Sequence, residues 1–306
     1  MKILDPMQTA QALPYSRLVP AIAQAMRELA NRHIRAPERQ VVPIDPASVL
    51  LSMPALGSDI SVAKLITVHA GNAQHGLPAI QGEVIVFETA TGRRLALLDG
   101  PTVTARRTAA VTLLGIQTLM PQAPKSVLLI GSGTQAAAHA DALVDYFGVS
   151  EFWIAATTLP KAEAFCAALG KRHPKITALP LCTAQLETEL PVTDVVIALT
   201  TSRTPVIPIH IAASTLAIGV GAFKPDMAEF PPQLLHGRQI IVDDLDGARH
   251  EAGDLLQAKV DWSQVLALSS ILDSTVQPSA QMPAFKTVGQ AAWDLAAARV
   301  ALASLG

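Results

Sequence analysis

Residues 126–143, "SVLLIGSGTQAAAHADAL", constrain this chain more than any other stretch. An apolar run closes on Gly131-Ser132-Gly133, and an alanine-rich segment of helical character follows. The spacing Gly131-Ser-Gly133-Thr-Gln-Ala136 fits G-x-G-x-x-A. Gly131 permits a tight turn, Gly133 lets the backbone approach a pyrophosphate, and Ala136 allows close helix–strand packing. The helix N-terminus adds N–H groups and a positive dipole for the phosphates. Small residues can also simply fill a strand-to-helix turn. Here strand, turn, helix and the next strand, "EFWIAA", stand in order, which favours a dinucleotide site.

The dinucleotide's identity depends on the end of that second strand. A carboxylate there hydrogen-bonds the ribose 2′-hydroxyl of NAD, whereas an arginine nearby receives the 2′-phosphate of NADP. This chain has neither, only Ala155-Ala156-Thr157-Thr158. Without a carboxylate to repel a phosphate, NADP(H) is favoured and NAD(H) stays possible. Thr157, Thr158 and Lys161 either contact such a phosphate or cap the helix that starts near Pro160.

Further strands are expected at "DVVIALT", "TLAIGVGA" and "QIIVDD". Their near-continuous Val, Ile and Leu content suits a parallel sheet covered on both faces. The first third has another texture. Residues 14–33 place Leu18, Ile22, Ala25, Met26 and Leu29 on one helical face, and short β-rich runs follow from Arg39 to Leu98. "EVIVFE" and "RRLALLDG" flank the turn Thr89–Gly92 as a hairpin. A helix is expected from about Thr104 to Met120, and the two prolines of "MPQAPKS" make a hinge. The expected fold is therefore α/β: a Rossmann-type dinucleotide-binding domain over 121–285, and an α+β domain with a mostly antiparallel sheet. The second domain takes residues 1–120 and the returning helix of 286–306.

Composition narrows the function classes. Formal charge is −2 with no basic block, so the electrostatic footprint of a nucleic-acid binder is missing. No apolar run approaches the ~20 residues of a membrane span. Asp5 and Pro6 stand where a signal peptide needs its apolar core, and Cys166 and Cys182 lack metal-ligand spacing. A soluble cytoplasmic protein with two buried thiols is expected. "VDDLDGARHE" gathers Asp243, Asp244, Asp246, His250 and Glu251, but without the D-x-D-x-D-G spacing of a calcium loop, so no metal is expected. His69 and His75 flank the "HAGNAQHG" loop and read as ordinary loop residues.

A few cations in the apolar first region are informative. Arg39 precedes a strand, Lys64 interrupts "SVAKLITV", and Arg106 and Arg107 fall in the first turn of a helix beginning near Thr104. Cations there oppose the helix dipole, so propensity does not explain them. They form either a carboxylate clamp of Arg39, Lys64 and Arg107, or surface charge beside a snorkelling lysine. The sequence alone does not bring the three together.

Seven segments in order resemble the ornithine cyclodeaminase/mu-crystallin family: "GLPAIQGEVIVFETATGRRLALLDG", "TARRTAA", "LLIGSGTQA", "VIALTTSRTPVI", "VGAFKPDMAEF", "VDDLDGARHEAGDL" and "FKTVGQAAWDLA". The resemblance runs from about residue 35 to the C-terminus. It implies that the domain of residues 1–120 and 286–306 binds substrate and dimerises, that the protein is a homodimer, and that a substrate carboxylate is bound through positions matching Arg39, Lys64 and Arg107. The expected cofactor-binding residues are Gly131, Ser132, Gly133, Thr134, Gln135, Ala136, Thr157, Thr158, Thr200, Thr201, Ser202 and Gly221. Thr200–Ser202 either border the nicotinamide ribose or form an ordinary polar loop.

Two departures from the family point the same way. Cyclodeaminases carry an aspartate after the glycine of the "VG" turn, where this chain has Phe223. A phenyl ring neither accepts an ammonium hydrogen bond nor acts as a base. The acidic residue after the second Rossmann strand is also missing. Both features resemble the family's imine-reductase branch. The expected activity is NAD(P)H-dependent reduction of cyclic ketimine carboxylates, with Arg39 and Arg107 orienting the carboxylate, Phe223 beside the substrate, and Lys64 holding the carboxylate or protonating the imine. Ornithine cyclodeamination with NAD+ is the first alternative. The second is a mu-crystallin-like NADP(H)-binding protein with little turnover.

Overall fold

The computed structural model describes residues 1–46, 48–273 and 281–305, leaving aside the side chains of Ala70 and Ala73. Cα packing divides the chain into two compact units, residues 1–110 with 290–306 and residues 111–289. The division falls inside a helix, Gly100–Leu119.

The first unit is built on a six-stranded sheet: β1 (Lys2–Leu4), β2 (Gln40–Asp45), β3 (Ser48–Leu56), β4 (Ile60–His69), β5 (Ile80–Glu88) and β6 (Arg94–Asp99), in the order β1-β6-β5-β4-β3-β2. Neighbours run antiparallel except β1, which lies parallel to β6. Successive side chains alternate faces along a strand. In β4 this parity buries Ile60, Val62, Lys64 and Ile66 and leaves Leu65 exposed. Lys64 is therefore carried to the core face by its apolar neighbours. That face is covered by the helix Ala291–Ser304, against which the helix Tyr15–Ala30 packs. The first buries Leu18, Ile22, Ala25 and Met26, as the 3.6-residue period predicts. The hairpin between β5 and β6 turns at Thr89–Gly92, with Gly92 at φ +70°.

The helix expected from Thr104 begins four residues earlier. The Asp99 carboxylate accepts the Thr102 N–H at 2.8 Å, a helix cap, and Pro101 is tolerated because first-turn N–H groups need no partner within the helix. Arg106 and Arg107 thus stand in the second turn, not in the first turn where the sequence pattern puts them. Arg106 lies over the Tyr15 ring, 4.2 Å from its centroid, and its Nε donates to the Leu13 carbonyl at 2.9 Å. Burial, not the dipole, accounts for Arg107.

The second unit is an α/β layer structure. Its eight parallel strands are β7 (Ser126–Ile130), β8 (Glu151–Ala156), β9 (Thr177–Cys182), β10 (Val195–Ala198), β11 (Leu216–Gly219), β12 (Ile240–Val242), β13 (Leu266–Ala267) and β14 (Ala284–Lys286). They are ordered β13-β12-β14-β11-β10-β7-β8-β9. The strands β10, β11 and β12 are buried throughout and β7 from Val127 on, as a sheet with helices on both faces requires. The chain proceeds outward from β7 through β8 to β9, then starts again at β10 on the other side. The switch point therefore lies between β7 and β10, where ligands bind outside the carboxyl ends of the strands. Among the described residues no helix is long and apolar enough to cross a membrane.

Candidate active site

The glycine turn sits at that switch point. Gly131 adopts φ +123°, and a Cβ there would lie 2.7 Å from the Leu199 carbonyl, so only glycine lets the ends of β7 and β10 approach. Gly133 is the N-cap of the helix Thr134–Phe147, receives no side-chain cap, and faces open space on its Cβ side. Ala136 is fully buried against the strand. One turn on, buried His139 donates from Nδ1 to the Gln135 carbonyl at 2.8 Å, which leaves Nε2 to accept the Thr112 hydroxyl at 3.0 Å. Burial lowers this imidazole to a pKa of about 4, so it is neutral and anchors the helix. An open cradle, uncapped N–H groups and a firmly held helix fit a pyrophosphate.

At the end of β8, Thr157 and Thr158 are exposed, as is Lys161, whose Nζ donates to the Thr157 hydroxyl at 3.4 Å. Thr158 occupies the N-cap of the helix Leu159–Arg172, yet its side chain makes no capping hydrogen bond. Across the switch point Thr200 turns inward: its N–H and hydroxyl both donate to Glu229, at 2.7 and 3.1 Å. The Ser202 hydroxyl donates to the Thr204 carbonyl at 2.6 Å, and Thr201 is exposed. Gly221 must be glycine, because a Cβ would meet the Thr200 carbonyl at 2.0 Å. Phe223 is half-buried, with the Lys224 ammonium 5.8 Å from its ring centroid.

In the first unit the cations gather on a residue that sequence patterns did not single out. Asp294, on the helix Ala291–Ser304, pairs with Lys64 Nζ at 2.8 Å and with Arg107 Nε at 3.2 Å. All three side chains are buried. Burial pushes the Lys64 ammonium down to a pKa of about 8; Arg107 and Arg39 act in the same direction, and Asp294 opposes them. Arg39 is half-buried just before β2 and close enough for its charge to be felt at Lys64. Two buried cations against one carboxylate leave one positive charge, the complement of a single substrate carboxylate. Glu229 is the other residue that sequence reasoning did not place. Gly221 and Ala222 stand 8 and 7 residues before it, but Thr200 and Asp254 are 29 and 25 residues away, so no local spacing announces it. Among the described residues no group of three or more His, Cys, Asp or Glu side chains is arranged to hold a metal ion.

A doubly wound parallel sheet with this turn at its switch point defines a Rossmann dinucleotide-binding protein, here with a buried cationic centre in its first unit. The chain belongs to the ornithine cyclodeaminase/mu-crystallin family, whose pattern it matches over residues 3–304. It is 44% identical to the Delta(1)-pyrroline-2-carboxylate/Delta(1)-piperideine-2-carboxylate reductase of Azospirillum brasilense, covering 98% of this chain and 94% of that one. It is 28% identical to the ketimine reductase mu-crystallin of Rattus norvegicus, covering 93% and 91%. In fold it resembles the Thermococcus litoralis Delta(1)-pyrroline-2-carboxylate reductase solved with NADH and L-proline, with a TM-score of 0.88, 22% identity and coverage of 99% and 97%.

Proposed function

We propose that this chain reduces the cyclic ketimine carboxylates Δ1-pyrroline-2-carboxylate and Δ1-piperideine-2-carboxylate to L-proline and L-pipecolate. The observation that carries the reading is the Lys64–Asp294–Arg107 cluster, in a chain 44% identical to a reductase of that name. Residues 1–110 with 290–306 form the substrate unit and 111–289 the cofactor unit.

Arg107, with Arg39, orients the substrate carboxylate by charge-assisted hydrogen bonds. A bound reduced nicotinamide dinucleotide would supply the hydride for the C=N carbon. Lys64 gives its proton to the imine nitrogen, the C=N double bond becomes CH–NH, and solvent restores the lysine. A lysine with a pKa near 8 is charged at neutral pH yet releases its proton readily. Asp294 holds Lys64 in place and keeps it charged. Phe223 supplies an apolar wall where an amine-handling carboxylate would serve deamination.

The deciding experiment follows loss of reduced-nicotinamide absorbance with both cyclic imines, beside proline and ammonia release from ornithine with NAD+. Imine turnover without ornithine turnover is the expected result. Proline and ammonia from ornithine would instead make the chain a cyclodeaminase. Binding of NADP(H) with no turnover of either imine would leave a nucleotide-binding protein.

The pH profile tests the proton donor. Lys64 is the acid in its protonated form, so kcat/KM should fall as pH rises through about 8. Lys64→Arg keeps the cation but cannot release its proton, so the basic limb should vanish together with most of the rate. A limb that survives in this variant would assign the proton elsewhere.

NADP(H) is our preferred cofactor, because Thr157, Thr158 and Lys161 offer hydroxyls and a cation where a carboxylate would repel a 2′-phosphate. Thr158→Glu should move the NADPH/NADH ratio of kcat/KM toward NADH by about tenfold or more. Unchanged kinetics with both cofactors would remove Thr158 from the site. We also propose that the chain resides in the cytoplasm and forms a homodimer; the edge strand β2, which leaves Val41, Val42 and Ile44 exposed, supports the dimer. Sedimentation at micromolar concentration reads this directly.

A further inference from the structure

In the second unit a buried charge cluster stands behind the Thr200 and Gly221 loops. Glu229, Asp254 and Lys286 are all inaccessible to solvent or nearly so. Lys286, at the carboxyl end of β14, places its ammonium 3.1 Å from Asp254 Oδ2 and 3.8 Å from Glu229 Oε2. Asp254 Oδ1 accepts the N–H groups of Glu229 and, at 3.0 Å, Phe230, which fixes the backbone carrying the glutamate. Burying three charges is costly, and apolar side chains of similar volume would hold a fold at least as well. Stability alone therefore does not explain the cluster.

What Glu229 grips is informative. Oε1 accepts the Thr200 N–H and hydroxyl at 2.7 and 3.1 Å, and Oε2 accepts the N–H groups of Gly221 and Ala222 at 2.8 and 3.1 Å. Thr200 follows β10 and Gly221 follows β11. One carboxylate thus ties together the two loops that leave adjacent strands, and Gly221 lets their backbones touch. In a doubly wound sheet the strands from the glycine turn to β8 take the adenosine half of a dinucleotide. Those across the switch point, β10 and β11, take the other half.

We propose that Glu229, held by Asp254 and Lys286, is the positioning residue for the nicotinamide half of the dinucleotide. It sets the spacing of the Thr200 and Gly221 loops and has no part in holding the adenosine half. The inference rests on the dinucleotide-binding reading given above.

The test separates the two halves of the ligand. Glu229→Gln keeps the reach but replaces one acceptor by an NH2 group that faces donors, while Glu229→Asp keeps the charge but is too short to span both loops. Each leaves one loop unheld, with backbone donors lacking their partner. Dissociation constants are measured for NADPH and NADH, and for 2′-phospho-ADP-ribose and ADP-ribose, which lack the nicotinamide. In both variants the whole dinucleotides should bind about tenfold or more weakly, while the fragments stay within about twofold of wild type. The kcat should fall with the KM for the imine little changed, because the substrate cations belong to the other unit. Equal weakening of whole cofactor and fragment, or no weakening of either, overturns the proposal. So does loss of the folded circular-dichroism spectrum in both variants, since Glu229 would then serve the fold alone. If wild-type protein binds none of the four ligands, the dinucleotide reading itself fails, and that result is seen before any variant is made.

Discussion

Asp294→Asn is expected to destabilise the first unit by about 3–5 kcal/mol, the usual cost of removing one partner from a buried ion pair. The wild-type carboxylate faces two cations, Lys64 at 2.8 Å and Arg107 at 3.2 Å, in a setting closed to water. An asparagine of the same shape leaves two like charges in contact with no counter-charge. The lysine has one escape, which is to give up its proton. Asp294 holds its pKa up at about 8, so in the variant the proton leaves at lower pH, and the loss should shrink as pH rises toward 8 and change little beyond it. Trp293 is the natural probe, because it is buried next to Asp294 in the same helix. With Trp153 and Trp262 replaced by phenylalanine, denaturant unfolding followed by Trp293 fluorescence reports the first unit alone. A variant as stable as wild type at neutral pH would mean that the pair carries no net stabilisation.

Arg107→Met separates binding from folding. It removes one of the two cations, so the buried cluster becomes neutral, and the fold should lose little or even gain stability. The substrate carboxylate, however, loses its charged fork. We expect kcat/KM for the cyclic imines to drop by about two to three orders of magnitude, equivalent to roughly 3–4 kcal/mol. Arg107→Lys restores the charge without the planar pair of donors and should recover only part of the loss. Full activity in the methionine variant would show that the carboxylate binds elsewhere.

The two variants probe residues of very different visibility in the sequence. Arg107 could be flagged because a cation at a helix start looked wrong, although that start was misplaced: Gly100-Pro101 reads as a turn until Asp99 is seen to cap it. Lys64 was legible through strand parity, since its neighbours at two-residue spacing are Val62 and Ile66. Asp294 was hidden by its setting. An acid in the first turn of a helix is what the dipole favours, so it passes for an ordinary helix start. The signal against that reading is "AAWDLAAARVALA", where it has almost no polar company. Two cations on apolar faces also require a counter-charge somewhere in the chain.

The second unit shows the same division. The glycine turn and the five longer apolar runs follow local rules and were readable. The strand Ala284–Lys286 has three residues and inserts between β11 and β12, out of chain order, so no periodicity could announce it. Glu229, Asp254 and Lys286 are likewise joined only by the sheet order. Long-range pairing is where local pattern stops being informative.

The position of Asp294 along the chain has a consequence for synthesis. The ribosome makes Lys64 and Arg107 early, and then all of residues 111–289, before the carboxylate that neutralises them exists. The second unit is continuous and can close as soon as it emerges, whereas the first cannot bury its cations until the helix Ala291–Ser304 returns. Units usually fold in the order in which they are translated. Here the earlier segment must wait, with its β-sheet uncovered, for the last helix to arrive. A nascent chain halted before Asp294 should therefore hold a protease-resistant second unit and a first unit open to cleavage.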